Sequence, residues 1–495
     1  MKGRNRVFNL GLVLTVILCY SFTPVKQKGQ AYYLSVHGND GYPGTLQHPW
    51  KTLAKLSSLK IAPGDSILLE GGQIFEGSIR LGAADGGTSE MPVYIGSYGH
   101  GKSSIASGNK EAMLLYNASF IEIRNIALKG AGRNNGNTTS GLAVMYSKNI
   151  FIDSVEITGY QKAGLLIYSS SQTIAQYVDA RENGFAGISI DGEFQQYNSH
   201  DIILRGCKAE NNPGDPSDKE NHSGNGIVAG SCRNITIEYC VATNNGWDMP
   251  RKGNGPVGIW TYESDSVLIQ YCISYKNKTS IGGDDGGGFD LDGGVKNSTI
   301  RYCLSYENDG SGFGVFQYDA ASYWYNNTIT NCISENDGRV SPAKAGIFIR
   351  NSSEDASQFH NFYFHHNIIY NDSVAAIRYE ASSQHSAFFF SNNIFAAKSN
   401  LIQNWSGGRD SSRFICNNWW SLLDTFNVEG QRDFRRWGSQ LNEEIRGDNM
   451  AGTNVDPAFL QPGKTTLTDP FALKIFNAYQ SLLNKEGVGC TFSPY

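Results

Sequence analysis

Short apolar runs recur along this chain, each closed by Asn or Gly. Segments of five to seven β-branched and aromatic residues, such as "ITIEYCVATNN", "VLIQYCISYKN" and "STIRYCLSYEN", are too short for helices and suit strands bounded by turns. Five such segments carry a cysteine in one frame, at Cys207, Cys240, Cys272, Cys303 and Cys332, with gaps of 33, 32, 31 and 29 residues. In each unit an apolar residue stands three before the cysteine, a small residue two after it, and an asparagine closes the segment. The frame continues with Val155, Asn367 and Asn393 in the cysteine position. A second, glycine-led strand follows in "AGISIDG", "GNGIVAG", "PVGIWTYE", "GGFDLDG", "GFGVFQYD" and "AGIFIRN". A repeat of this length, with about three short strands per unit, predicts a solenoid.

Coils stacked ~4.8 Å apart set like residues in ladders. The cysteines are therefore expected as a buried column of free thiols, with disulfides across coils, which the Cα spacing permits, as the alternative; the paired CxxC spacing of zinc sites is absent. Alternation along the glycine-led strand points Ile188, Ile227, Ile259, Phe289, Phe313 and Ile347 inward. One outward column is then Ser189, Val228, Trp260, Asp290, Gly314 and Phe348, and its neighbour is Asp191, Gly230, Tyr262, Asp292, Phe316 and Arg350.

With these repeats the chain resembles the right-handed parallel β-helix proteins of the pectate-lyase-like superfamily. The expected fold is all-β: a right-handed, single-stranded parallel β-helix with an N-terminal cap and an irregular C-terminal cap. "YYLSVHGNDGYPGTLQHPWKTLAKL" with "PGDSILLEGGQIFEG" is similar to the opening of secreted bacterial members, where a short helix caps the first coil. We divide the chain into a leader at 1–31, a cap region at 32–111, repeats at 112–415 and a capping segment at 416–495, with "NVDPAFLQPGK" expected over the open end. The fold hosts lyases, hydrolases, epimerases, esterases and binding proteins, so activity has to be argued from the site.

Charge narrows the partners. The 495 residues carry a formal net charge of −5 with no basic stripe, which argues against nucleic acid and anionic membrane surfaces. Lys2, Arg4 and Arg6 before an apolar run ending near Tyr20 read as a secretory signal, with cleavage expected after Ala31. The expected location is periplasmic, cell-surface or extracellular; lipid attachment at Cys19 is disfavoured by bulky Leu18. No other segment is long and apolar enough for a span.

The chemistry concentrates in "GGDDGGGFDLDGG", Gly282 to Gly294. Asp284 and Asp285 suit a turn, but Asp290 and Asp292 occupy strand positions that disfavour aspartate, and like charges on one face repel unless a proton, cation or ligand offsets them. Trp260, Tyr262, Phe316 and Phe348 around them predict an aromatic-lined acidic groove for a polysaccharide or oligosaccharide. Insertions 211–224, 246–256 and 279–288 at one coil corner are expected to gather on that face.

The first reading is a glycoside hydrolase with Asp290 and Asp292 as acid and base or nucleophile. Asp284, Asp285, Glu263 and Arg350 assist, and Asp191, His222 and Trp247 are candidate binding residues. The alternative is a Ca²⁺-assisted lyase of a uronic-acid polymer, with Asp284 and Asp285 as metal ligands and Lys252, Lys296 or Arg350 as base. The family resemblance implies such a lyase through the Asp-Gly-Phe strand, yet it implies a lysine base shortly after the Phe, where Asp292 stands. Arg-Ile-Lys, a signature the resemblance implies for β-helix polygalacturonases, is absent, and Gly99-His100-Gly101 lies ahead of the repeats. A non-catalytic glycan-binding β-helix is the third reading.

Overall fold

The computed structural model of the chain describes residues 29–492 apart from 342, 354, 381–383, 406–410 and 424. The leader with Cys19 lies outside the described residues up to residue 28. From Ala31 onward the chain winds as a coil of three parallel strands repeated along one axis. Sheet A collects strands such as Cys232–Glu238 and Asp265–Gln270, and sheet B the three-residue strands such as Val241–Thr243, Ile273–Tyr275 and Leu304–Tyr306. Sheet C holds the 12 strands that include the glycine-led segments, among them Val257–Tyr262, Gly287–Leu291 and Phe313–Gln317. Ser119–Gly130 and Lys148–Thr158 run across the A–B corner and join those two sheets.

The ladders arise from repeat register. Each thiol of the cysteine ladder donates to a carbonyl two residues back, as Cys240 Sγ does to Glu238 O at 3.3 Å, and Cys240 N–H reaches Cys272 Sγ at 3.4 Å. The cysteines are free. From Cys332 onward Asn367, Asn393 and Asn417 continue the column through 2.9 Å amide-to-side-chain bonds. A second ladder, Asn183, Asn212, Asn245, Asn277 and Asn308, turns the B–C corner. It satisfies backbone groups that the turn would otherwise strand without partners.

The recurrent small residue has a partner as well. A Cβ on Gly226 would fall 2.8 Å from Ala242 Cβ, on Gly258 2.0 Å from Ser274 Oγ, and on Gly288 2.1 Å from Ser305 Oγ. Sheets B and C thus approach closely, glycine against small side chain.

Parallel pairing begins with Ala31–Leu34 against Ser66–Glu70, so the stretch before 112 already builds coils, with Leu53 and Leu56 of the 3₁₀ turn Leu53–Ser58 buried at their side. The open C-terminal end is closed by the helix Phe434–Leu441, whose Trp437 packs 5.4 Å from Trp419. Glu444 accepts from Asn417 N–H at 3.0 Å and ends the ladder. "NVDPAFLQPGK" instead leads the tail along the outer face of sheet B, where Leu473, Tyr479 and Leu483 cover Ile273, Leu304, Ile333 and Ile368. That face is apolar, and a solenoid flank needs cover as an end does.

Candidate active site

Register places Asp290 as alternation predicts, whereas Asp292 stands one residue past the strand Gly287–Leu291, its N–H donating to Thr261 O at 2.9 Å. Trp260 pairs with Asp290, Asp290 with Gly314 and Gly314 with Phe348, while Phe316 pairs with Arg350. Asp290 points outward yet is only 3% exposed. Gly314 beside it makes this possible, since a Cβ there would lie 2.8 Å from the Asp290 carboxyl carbon. Asp285, Ser311, Phe316, Lys344 and Phe348 close a small cavity around it. Asp290 Oδ1 is buried with no hydrogen-bond partner.

Glu263 lies at the end of the preceding coil's strand, 1% exposed, over Gly294, where a Cβ would sit 2.5 Å from its carboxyl. One oxygen accepts from Ser322 N–H at 2.8 Å; Oε2 has no partner. The insertion supplies Asp284, ion-paired with the buried Lys344, and Asp285, whose Oδ2 accepts from Gly255 N–H at 2.8 Å.

Burial governs protonation, and neighbouring acids add to it. Burial, with Asp292 and Asp285 adding their charges, pushes the Asp290 carboxyl far above the usual carboxylate range. Burial also lifts Asp292 to about 7, with Asp285 and Glu263 raising it and Gly293 N–H and Arg350 opposing. Asp285 is raised by burial, against Lys344. Burial would raise Asp284 too, but Lys344 outweighs it and holds that carboxyl down. At neutral pH the cluster therefore contains a protonated acid beside a carboxyl near its midpoint.

Sequence reasoning missed three contributors. Lys344 sits at the insertion corner in "SPAKAGIFIR" two coils on, Tyr318 follows Phe316 in its outward frame, and Glu380 pairs with Arg350 at 2.8 Å. The Tyr318 hydroxyl is pushed up by burial and by Asp292, Glu263 and Asp290, which puts it in the same cluster, and its ring crosses Gly293. Corner and frame were signals for the first two.

Other candidates are placed differently. Trp260 is 4% exposed; its Nε1–H donates to Asn225 Oδ1 at 3.1 Å and its ring meets His222 at 4.8 Å. The insertion 211–224 folds over this part of the face, so Trp260 is packing and the expected open aromatic groove is roofed there. His222, burial lowering it to about 4, is a neutral packing partner of Phe185 and Trp260. Tyr262 crosses Gly230 to reach Asp191, which burial raises to about 6. Trp247 is exposed, bonded to Asn211 at 2.9 Å and near Arg133, which pairs with Asp248.

The candidate bases also separate. Exposed Lys252 lies against the Gly282 turn. Lys296 stands 4.0 Å from Asp265 and over the Tyr197 ring. Of the proposed bases only Arg350 is felt by Asp292. Of the candidate calcium donors, Asp284 is ion-paired with Lys344 and Asp285 accepts from Gly255 N–H. Among the described residues no three His, Cys, Asp or Glu side chains form a group able to hold a metal ion.

Residues 32–340 match the family described as Pel9A-like, right handed beta helix region. The chain belongs to this family. The lacto-N-biosidase of Bifidobacterium longum subsp. longum is 23% identical over an alignment taking in 77% of this chain and 30% of that protein. The chain thus spans under a third of the length of this curated relative. The crystal structure of pectate lyase Pel9A is similar at 14% identity and a TM-score of 0.41, over 77% of this chain and 78% of that one. A GH136 lacto-N-biosidase from Eubacterium ramulus is similar at 17% identity and a TM-score of 0.39, over 72% and 67%.

Proposed function

We propose that the protein is an exported glycoside hydrolase acting on a neutral glycan at Asp290 and Asp292. One observation carries this reading: Asp290, outward on the strand, buried under its neighbours and held protonated, stands two residues along the chain from a carboxyl that titrates near neutrality. Asp290 donates its proton to the departing glycosidic oxygen. Ionised Asp292 takes a proton from water or attacks the anomeric carbon. Residues i and i+2 lie ~6.6 to 7 Å apart at Cα, a spacing that suits the inverting arrangement with water between them. Glu263 helps keep the Asp292 pKa high, and Tyr318 lines the same cluster.

Charge supports a neutral substrate. Asp285, Asp292 and Glu263 surround the protonated Asp290, while Lys344 is committed to Asp284 and Arg350 to Glu380. A polyanion entering there meets like charge. The relative bearing the name lacto-N-biosidase is consistent with glycosidase chemistry. The second reading is lyase action, favoured by the name of the family and by Arg350 near Asp292.

Incubation with a panel of neutral and uronic-acid polysaccharides, with and without chelator, separates them. New reducing ends without ultraviolet-absorbing double bonds, at a rate unchanged by chelator, are expected. Double-bond products would replace this reading with the lyase. No product on a broad panel would sink both. Export is proposed from the leader pattern; among the described residues no helix is long and apolar enough to cross a membrane.

A further inference from the structure

Upstream on sheet C, the outward column that carries Asp292 begins with tyrosine. Tyr116 pairs with Met145, Met145 with Tyr168 and Tyr168 with Asp191. Tyr146 turns beside them, its ring 5.5 Å from Tyr116 and 5.7 Å from Tyr168, each edge to face. Tyr116 is 46% and Tyr146 40% exposed, and Phe194, just past this face in the turn after Asp191, is 58% exposed. Such a group of exposed rings on a sheet face has no packing duty.

The patch is continuous with the carboxylate site. The turn 192–198 leaves the strand Ala186–Asp191 and runs along the C–A edge, with Tyr197 under Lys296 at 5.1 Å and Gln195 bonded to Ser322 at 2.9 Å. Ser322 N–H in turn donates to Glu263. One wall thus joins the tyrosines to the acidic cluster. Tyr168 stands four coil steps from Asp292, ~19 Å along the axis.

We propose that Tyr116, Tyr146 and Tyr168, with Phe194, form a distal platform that holds a neutral glycan chain laid along the solenoid axis toward Asp292. This inference depends on the glycan-hydrolase reading for its choice of ligand. Ring faces stack on the apolar faces of pyranose rings, and the coil spacing sets one aromatic position per step. Asp191 and Asp292, both half-buried along the path, select against a polyanionic chain. A chain bound this far from the reacting bond makes the enzyme favour long substrates over short ones.

Affinity electrophoresis in gels holding xylan, galactan, mixed-linkage glucan or polygalacturonate tests the platform apart from the chemistry. At least one neutral polysaccharide should retard the wild type and an Asp290→Asn/Asp292→Asn variant alike. Tyr116→Ala/Tyr146→Ala/Tyr168→Ala should weaken that binding about tenfold or more, and the triple Tyr→Phe variant should keep it, since stacking uses the ring. Hydrolysis with full retardation of the Ala variant would overturn the platform and leave the hydrolase standing. Retardation by polygalacturonate alone would overturn the neutral ligand. Retention of the carboxylate variant with no product from the wild type would support the platform and remove the hydrolase, and neither retardation nor product would remove both.

Discussion

At the residue scale, the site is defined by carboxyls held where they are costly. Asp292 titrates near 7 in the folded chain, against about 3.9 when unfolded. Below pH 4 both states hold the proton and the group is neutral to stability. Between pH 4 and 7 the folded state keeps a proton that the unfolded chain has released, so stability falls as pH rises, and the loss is complete above 7. Asp292→Asn should therefore match the wild type near pH 4 and exceed it by roughly 1–3 kcal/mol at pH 8, read by denaturant unfolding at both pH values. The same variant should lower hydrolysis by about 100-fold or more. An Asn that destabilised at pH 8 would mean the carboxylate is a structural partner. The outward frame of Asp290 and Asp292 was legible in the strand alternation. The burial of Asp290 was not, because Gly314 and Phe348 from later coils and the corner insertion bearing Asp285 close over it.

At the scale of the elements, the short strands of sheets B and C hold together by close approach. Both halves of the device were visible in the sequence, as the glycine that leads each sheet C strand and the small residue two after each cysteine. That they face each other comes only from closing the coil. Gly288→Ala should cost roughly 1–3 kcal/mol, since its Cβ meets Ser305 Oγ at 2.1 Å, and Ser305→Gly in the same chain should recover part of that loss. Thermal unfolding of the single and double variants checks the coupling; equal losses would show that sheet C glycines serve the strand alone. The tryptophan at position 260 shows the limit of reading faces from alternation. It points outward, as predicted, and is nonetheless covered, because the insertion 211–224 lays His222 on it.

At the scale of the whole molecule, the tail after residue 454 acts as a lateral strap. Glu335, buried in sheet B, accepts from Thr465 N–H at 3.0 Å, Thr465 Oγ1 at 2.6 Å and the Tyr479 hydroxyl at 2.6 Å. Phe471 extends the stacked Tyr239, Tyr271 and Tyr302 at 4.8 Å. Deleting residues 454–492 should uncover the apolar outer face of sheet B, lowering the melting temperature and raising binding of a hydrophobic dye, with helix Phe434–Leu441 still closing the end. A truncated chain as stable and as dye-silent as the full one would show that the strap is dispensable.

The sequence by itself determined the repeat, and through it the coil, the ladders and the face on which each aspartate lies, because a stacked coil converts periodic spacing directly into spatial register. Only the tertiary structure decided which outward residues are open and which are roofed. It also decided which cations are free and which are paired, and whether the tail covers an end or a flank. Those outcomes depend on insertions and on a terminal segment that carry no repeat, so their contacts are set by packing between distant stretches of chain. Asp290 and Asp292 stand two residues apart in one segment, but it is Gly314 from the next coil and Asp285 from the corner insertion that bury Asp290 and keep it protonated beside a half-buried Asp292.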